Sequence, residues 1–294
     1  MTGSGRRGRR RPWGAYAVVA TGAVLTVVPF LDMLLTSFKG PGEFGKLPFR
    51  FLPQAFDLSN YRTALHQLNL PLLFRNSVVA TVVITGSTLV TSALAGYALA
   101  KLRFPGRELV FRLVLSTMMF PPFLFFVPHF LILVHWPGAG GNDLLGRGGA
   151  GLTVSIAALV MPFLVSGFGI FLMRQFMLSL PDDMLEAARL DGAGEFTVWW
   201  RIVLPQTKPV AVTLTLLTFV NAWNEYIWAL LVSTANPRLM TLPVGIQMLQ
   251  SYLDPDRMVP VMMAGLVLSV LPVLLLFLLL QKHYLRGVLL SGLK

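Results

Sequence analysis

Glu186, Ala187 and Ala188, then Arg189, Leu190 and Asp191 to Gly192, and after nine more residues Ile202, Val203, Leu204 and Pro205, form one stretch between two apolar segments. Just upstream, Ser179 and Asp182 fit a capping box with Pro181 in the first turn, and Asp182 and Asp183 complement the positive end of a helix dipole. Gly192 ends that helix as a glycine just past a C-terminus does. The helix from Asp182 to Asp191 is too short to be stable alone, so it packs against something. Ala187 and Ala188 let its backbone approach a groove closely, with Met184 and Leu185 as apolar contacts. A helix pair lying on a bilayer surface, anchored by Phe196, Trp199 and Trp200, is the competing reading. The short helix with small Ala187 and Ala188 favours a docking element over that reading.

Composition assigns the surroundings of this loop. Of 294 residues 55% are hydrophobic and 13% charged, and the mean hydropathy is +0.68, which excludes a soluble domain. A helix needs about 20 apolar residues to cross roughly 30 Å of hydrocarbon. Stretches of that kind fall near 13–35, 77–100, 109–134, 152–173, 210–232 and 259–280. The predicted fold is therefore an all-α membrane protein, a six-helix transmembrane bundle. Pro121, Pro122, Pro128 and Pro162 interrupt the third and fourth stretches, which a membrane protein tolerates where neighbouring helices satisfy the freed carbonyls.

The net charge of +11 suggests nucleic acid only until the basic residues are located. Most of the 24 Lys and Arg flank helix ends on one side: Arg6 to Arg11, then Lys101, Arg103, Arg107 and Arg112, then Arg174, Arg189, Arg201 and Lys208, then Lys282, Arg286 and Lys294. The positive-inside rule then puts both termini in the cytoplasm. Residues 1–12 form a basic cytoplasmic N-terminus, 13–294 the transmembrane domain with a core of about 72–282, 174–208 the docking loop on the inner face, and 283–294 a cytoplasmic tail. The first apolar stretch is longer than a secretory h-region and lacks a small-x-small cleavage site, so it is a retained helix. The chain has no cysteine, which removes disulfides and thiol chemistry together.

Polar residues inside apolar segments are costly and read as functional. Asn221, Trp223, Asn224 and Glu225 qualify, and Glu225 lies roughly 22 Å along a 30 Å crossing. Two readings stand: these side chains line a solute pathway, or they sit at the outer interface. Phe120, Phe123, Phe125 and Phe126 suggest sugar stacking, but packing in a kinked helix is the commoner reason for such a cluster. His129 lacks a second ligand at metal-binding spacing and is given no role. The six glycines of the loop 135–150 imply flexibility. Asn60, Asn76 and Ser77 read as residues that begin helices.

The spacing EAA-x(3)-G-x(9)-I-x-L-P resembles the EAA loop of binding-protein-dependent ABC importers, and the order of segments from Asn60 to Lys294 resembles the MalG-type permease of carbohydrate importers. Asn60-Tyr61, Asn76-Ser77, the run Gly96 to Ala100 with Lys101, Arg103 and Phe104, and the tail Gln281 to Lys294 are similar to that family's signatures; Leu293 stands where a smaller residue is usual. The resemblance implies that Glu186, Ala187, Ala188, Asp191, Gly192, Ile202, Leu204 and Pro205 couple the chain to ATPase subunits. It implies that Trp223, Asn224 and Glu225, matching W-N-(D/E), belong with Asn221 to the pathway or gate, and that Gly287, Gly292 and Lys294 form a second contact. It further implies a second, MalF-type permease, two ATP-binding subunits, an extracytoplasmic solute-binding protein and a sugar substrate, in a prokaryotic cell membrane.

No GxxxxGK(S/T) loop occurs in the chain, so it needs no cofactor of its own, and ATP and Mg fall to the partners. A permease for a non-sugar solute is the nearest alternative. A secondary transporter would show internal symmetry or paired broken helices, and an enzyme would show converging catalytic groups; neither pattern is evident.

Overall fold

A computed structural model describes residues 13–291 apart from 46, 49, 68 and 250–253. In chain order its helices are α1 (Trp13–Thr36), α2 (Ser59–Gln67), α3 (Leu70–Lys101), α4 (Arg107–Thr117), α5 (Phe126–Val134), α6 (Ala157–Val160), α7 (Gly167–Leu178), α8 (Asp182–Leu190), α9 (Glu195–Val198), α10 (Leu204–Gln206), α11 (Lys208–Trp223), α12 (Ile227–Ala235), α13 (Leu242–Met248) and α14 (Pro255–Ser291). No strand occurs among the described residues. Three helices, α1, α3 and the part 256–281 of α14, are long and apolar enough to cross a bilayer, and three bent pairs bring the number up to six if each pair is one span.

The chain divides into two compact units. In the first, residues 1–66 and 249–268, the described part of α1 presents its apolar side chains outward. Asn60 is buried inside α2 and donates to the Ser37 and Lys39 carbonyls at 3.0 and 2.8 Å, holding the chain that leaves α1. It does not start a helix. Asp57 does that, accepting the Ser59 backbone N–H at 2.8 Å and the Ser59 hydroxyl at 2.7 Å; these hydrogen bonds hold its carboxyl below the usual range.

The second unit, residues 67–248 and 269–294, is organised around α3. Gly96 lets α7 pack against α3 so closely that a Cβ there would stand 2.7 Å from Met173 Cβ, the small-residue contact by which membrane helices approach one another. Asn76 and Ser77 lie within α3, not at its start: Asn76 donates to the Arg238 and Met240 carbonyls at 2.8 and 2.9 Å, and Ser77 accepts Leu242 N–H at 2.8 Å.

The predicted third and fourth crossings are broken. Around Pro121 and Pro122 the path turns by 94° between α4 and the segment 122–134, and around 164–166 it turns by 45°. The second break leaves carbonyls without helical donors, and α3 supplies them: Ser87 donates to Leu164 O at 2.8 Å and Thr88 to Phe163 O at 3.3 Å. Ser166 caps the restart by accepting Gly169 N–H at 3.1 Å. The predicted fifth crossing stops at Trp223 and resumes at Ile227.

The loop 135–150 is held by specific bonds. Asn142 donates to the Val134 and Trp136 carbonyls and accepts Gly149 N–H. Gly140, Gly146 and Gly151 take positive φ where a Cβ would run into backbone oxygen, so these glycines serve tight packing and not freedom.

Candidate functional site

α8 is a surface helix with one face bound to its own chain. Leu185 is 1% exposed and joins Tyr97, Met173, Met177, Val198, Trp199, Val203, Val210 and Leu214 in one core cluster. Glu186, Ala187, Asp191 and Gly192 are exposed, Ala188 is half-buried, and Pro205 is exposed next to half-buried Ile202 and Leu204. The apolar side chains free to meet a partner are therefore not Met184 and Leu185, as the sequence suggests, but Leu190, Phe196 and Trp200, which are all exposed.

The end of α8 is sharply defined. Ala193 N–H bonds Ala188 O and Gly192 N–H bonds Arg189 O, both at 3.0 Å, the paired bonds of a Schellman stop. Gly192 has φ +85 with nothing within 4 Å of a notional Cβ, so the backbone angle alone demands glycine. The predicted capping box at the other end does not form. Pro181 occupies the N-cap, and the Ser179 hydroxyl donates backward to Phe176 O at 2.7 Å.

What holds α8 in place at its start is Lys101, the last residue of α3, which donates to Leu180 O at 2.7 Å and to Asp182 Oδ1 at 2.6 Å. The ammonium holds the Asp182 carboxyl below its usual range. One turn back on α3, Tyr97 donates to Glu195 Oε2 at 2.5 Å, while Arg189 donates to both oxygens of the same carboxylate at 2.8 and 3.3 Å. These donors, Arg189 first, lower the Glu195 pKa, and that of Arg189 is raised in return. A further turn back, the Trp199 indole donates to Ala93 O at 3.3 Å. Positions 93, 97 and 101 are one stripe of α3, and they grip the loop at three points. After α9 the backbone makes a π-helical turn, Trp199–Val203, and a 76° bend leads into α11. Arg174 is buried, donates to Leu99 O at 3.1 Å, stacks on Phe111 at 3.7 Å and reaches Glu108 at 3.4 Å.

A second feature lies deeper in the same unit. An open cavity of about 630 Å³ is lined by α3, the broken segments and α11, a size suited to a small organic solute. Thr218 and Asn221 of α11 and Glu225 just past its end line it, as do Thr88, Thr117 and Ser166. Phe120, Phe125, Phe126 and His129 also line it. Three of the four clustered phenylalanines and the histidine are therefore wall residues, which the sequence reading does not anticipate, because the 94° turn is what aims them. The His129 Nδ1 is buried without a hydrogen-bond partner.

The structure separates the four predicted pathway residues. Asn221 and Glu225 face the cavity, and Glu225 Oε1 accepts Trp228 N–H at 2.8 Å. Trp223 does not line this cavity. It is 2% exposed, stacks on Phe219 and donates to Ser269 O at 3.1 Å, so it fills the core. Asn224 is exposed and donates back to Val220 O at 2.9 Å. Of the tail residues, Gly287 lies in α14, while Gly292 and Lys294 lie outside the described residues.

A helical membrane protein with a surface helix clamped to a central span, and a cavity between its broken helices, is a transport subunit in class. Residues 89–289 match the family described as "Binding-protein-dependent transport system inner membrane component". The chain belongs to that family, the permease subunits of ABC importers, and its relatives are transport subunits, not enzymes. It is 32% identical over 276 residues, 92% of each chain, to the arabinooligosaccharides transport system permease protein AraQ of Bacillus subtilis. It is 33% identical over 268 residues to the sulfoquinovosyl glycerol transport system permease protein SmoH of Agrobacterium fabrum, covering 90% of this chain and 88% of that one. In fold it is similar to a chain from a crystal structure of a bacterial ABC transporter involved in import of the acidic polysaccharide alginate, with TM-score 0.76, 24% identity, and 97% and 100% of the two chains covered.

Proposed function

We propose that this chain is one of two permease subunits of an ATP-driven saccharide importer in a prokaryotic cell membrane. It crosses the membrane six times with both termini in the cytoplasm, forms the pathway with a MalF-type partner, docks on two ATP-binding subunits through α8, and receives solute from an external binding protein. The observation that carries the reading is the exposed surface of α8 and the turn and α9 that follow it, with Glu186, Ala187 and Leu190 on α8, Gly192 in the turn and Phe196 on α9, fastened to α3 through Lys101 and Tyr97. A helix held this way transmits a push as a rigid body, and a partner that closes on ATP tilts α3 and α7 with it. The saccharide class rests on the relatives, whose printed substrates include arabinooligosaccharides and sulfoquinovosyl glycerol; the solute crosses chemically unchanged. The test is ATP hydrolysis by the reconstituted four-subunit complex. It is expected to rise when the loaded binding protein is added and to fall to the basal rate in Glu186→Ala. Hydrolysis that ignores both overturns the reading.

A further inference from the structure

Between α1 and α2 the chain carries apolar side chains on its surface: Phe51, Leu52, Phe56 and Leu58 are all exposed, Leu52 at 67% and Phe56 at 74%. The segment that bears them is tied down. Asp57 N–H bonds Phe38 O at 3.1 Å, the Phe56 ring stands edge-on to Phe38 with centroids 5.5 Å apart, and the Tyr61 and Ser37 hydroxyls share a 2.7 Å hydrogen bond. Residues 51–58 are thus pinned to the chain that leaves α1.

That tether fixes their depth. The 24 residues of α1 make about 36 Å at 1.5 Å per residue, more than the roughly 30 Å of the hydrocarbon core and less than the about 40–45 Å that includes both headgroup layers. Trp13, exposed at the start of α1, is the kind of residue that sits at one interface, so Ser37 and Phe38 emerge among the headgroups of the other. A ring 5.5 Å from Phe38 stays at that level. The spanning window of α1 has none of its residues buried inside the chain, so the apolar surface of the span runs on, uncovered, toward the segment. Contacts between membrane subunits favour small side chains that let backbones approach, and a water-soluble partner docks beyond the headgroups. Bulky aromatic and aliphatic side chains beside an arginine, here the exposed Arg50, are what an interfacial anchor presents.

We propose that the segment 51–58 is a lipid anchor, seated where headgroups meet acyl chains in the leaflet away from the N-terminus, and that its partner is the bilayer and not the second permease or the binding protein. Through Asn60, which bonds the Ser37 and Lys39 carbonyls, the same anchor sets the height of α2. The proposal rests on α1 crossing the membrane and on no part of the pathway reading.

The chain has no cysteine, so Leu52→Cys and Leu58→Cys, each labelled with a nitrobenzoxadiazole fluorophore in the four-subunit importer, report the surroundings of the segment from two points. In phosphatidylcholine vesicles, exchange of the lipid for one brominated near the headgroup end of its acyl chains is expected to cut the emission about twofold at both positions. Bromine near the methyl ends, and iodide in the water, should each quench less. Strong quenching by iodide without a response to brominated lipid places the segment in water and overturns the anchor. Emission that neither quencher reaches shows a protein cover, the second permease, and overturns it equally. Loss of the lipid quenching when the loaded binding protein is added gives the surface to that protein instead.

Discussion

The Tyr97 hydroxyl and the Glu195 carboxylate, 98 residues apart, share a 2.5 Å hydrogen bond, and the same carboxylate takes Arg189 from α8. Glu195 is thereby a joint between α8 and α3. A partner that moves α8 has to move α3 through this joint and through Lys101 with Asp182, or else break them. Coupling needs stiffness here more than affinity.

Tyr97→Phe and Glu195→Gln should each lower binding-protein-stimulated ATP hydrolysis severalfold while leaving subunit assembly intact. The double variant should be no worse than the poorer single one, since both remove the same link. Because the Glu195 pKa is depressed by its donors, the link is fully present above the ordinary glutamate value of about 4.3 and is lost only as pH falls through the depressed one. The deficit of Tyr97→Phe should therefore be the same at pH 6 and pH 8. Additive losses, or a deficit that changes between those pH values, would falsify the joint.

Gly192 separates backbone strain from steric clash. At φ +85 with open space around it, a β-branched residue costs about 1–2 kcal/mol through its backbone alone, and asparagine costs less. Gly192→Val should impair transport, whereas Gly192→Asn should retain most of it at equal protein level. Uptake assays with quantified membrane protein check the order, and equal behaviour of the two shows that the turn is not set by φ.

Part of this was legible in the sequence. The apolar stretches mark where helices lie, and the run from Glu186 to Gly192 fixes α8 and its stop, because Schellman chemistry is local. What hydropathy misses is direction. A window average over 109–134 does not register the 94° turn, and with the turn missed, Phe120 and Phe125 read as packing and His129 has no role. Trp223 misleads in the opposite sense: a polar-looking Trp-Asn-Glu run hides an indole that is core and a carboxylate that is wall. Thr218, at helical spacing from Asn221 and Glu225, is the signal that finds that wall. The grip of Lys101 and Tyr97 on the loop spans most of a hundred residues, and no local pattern encodes it.

If Trp223 serves packing, its loss should be felt as stability. Trp223→Phe keeps the stack on Phe219 but deletes the indole donor to Ser269 O, the loss of one buried hydrogen bond, at a net cost of about 0.5–1.5 kcal/mol. Thermal denaturation of the purified complex should shift down while the transport rate of the folded fraction stays unchanged. A normal melting temperature with slowed transport returns Trp223 to the pathway.

Topology is open to direct labelling. Cysteine at Gly194, beside the docking helix, should be shielded from an impermeant thiol reagent added to intact cells, and cysteine at Leu144 or Gly42 should react. Leu144 is 88% exposed, so burial will not mask it. Labelling at Gly194 with protection at Leu144 inverts the orientation and leaves α8 on the face without ATP.

The resemblance makes Gly287, Gly292 and Lys294 a second contact, and the length of α14 bears on how its end can act. α14 runs 37 residues, from Pro255 to Ser291, about 55 Å at 1.5 Å per residue, whereas a bilayer core is about 30 Å thick. Only the part 256–281 passes as a membrane span. The remainder, including Gly287, continues as helix past that span, and a rigid extension reaches a partner at far lower ordering cost than a loose chain. We therefore expect the part of α14 beyond residue 281 to be a lever end that meets the ATPase pair. Deleting residues 291–294 should lower stimulated ATP hydrolysis while both permeases still co-purify. Inserting one alanine after Gly287, which rotates the tip by about 100°, should do the same, although no residue is lost. A loose tail would tolerate that insertion, so full stimulation in the insertion variant together with loss in the deletion returns the tail to a flexible contact, and full stimulation in both shows it to be dispensable.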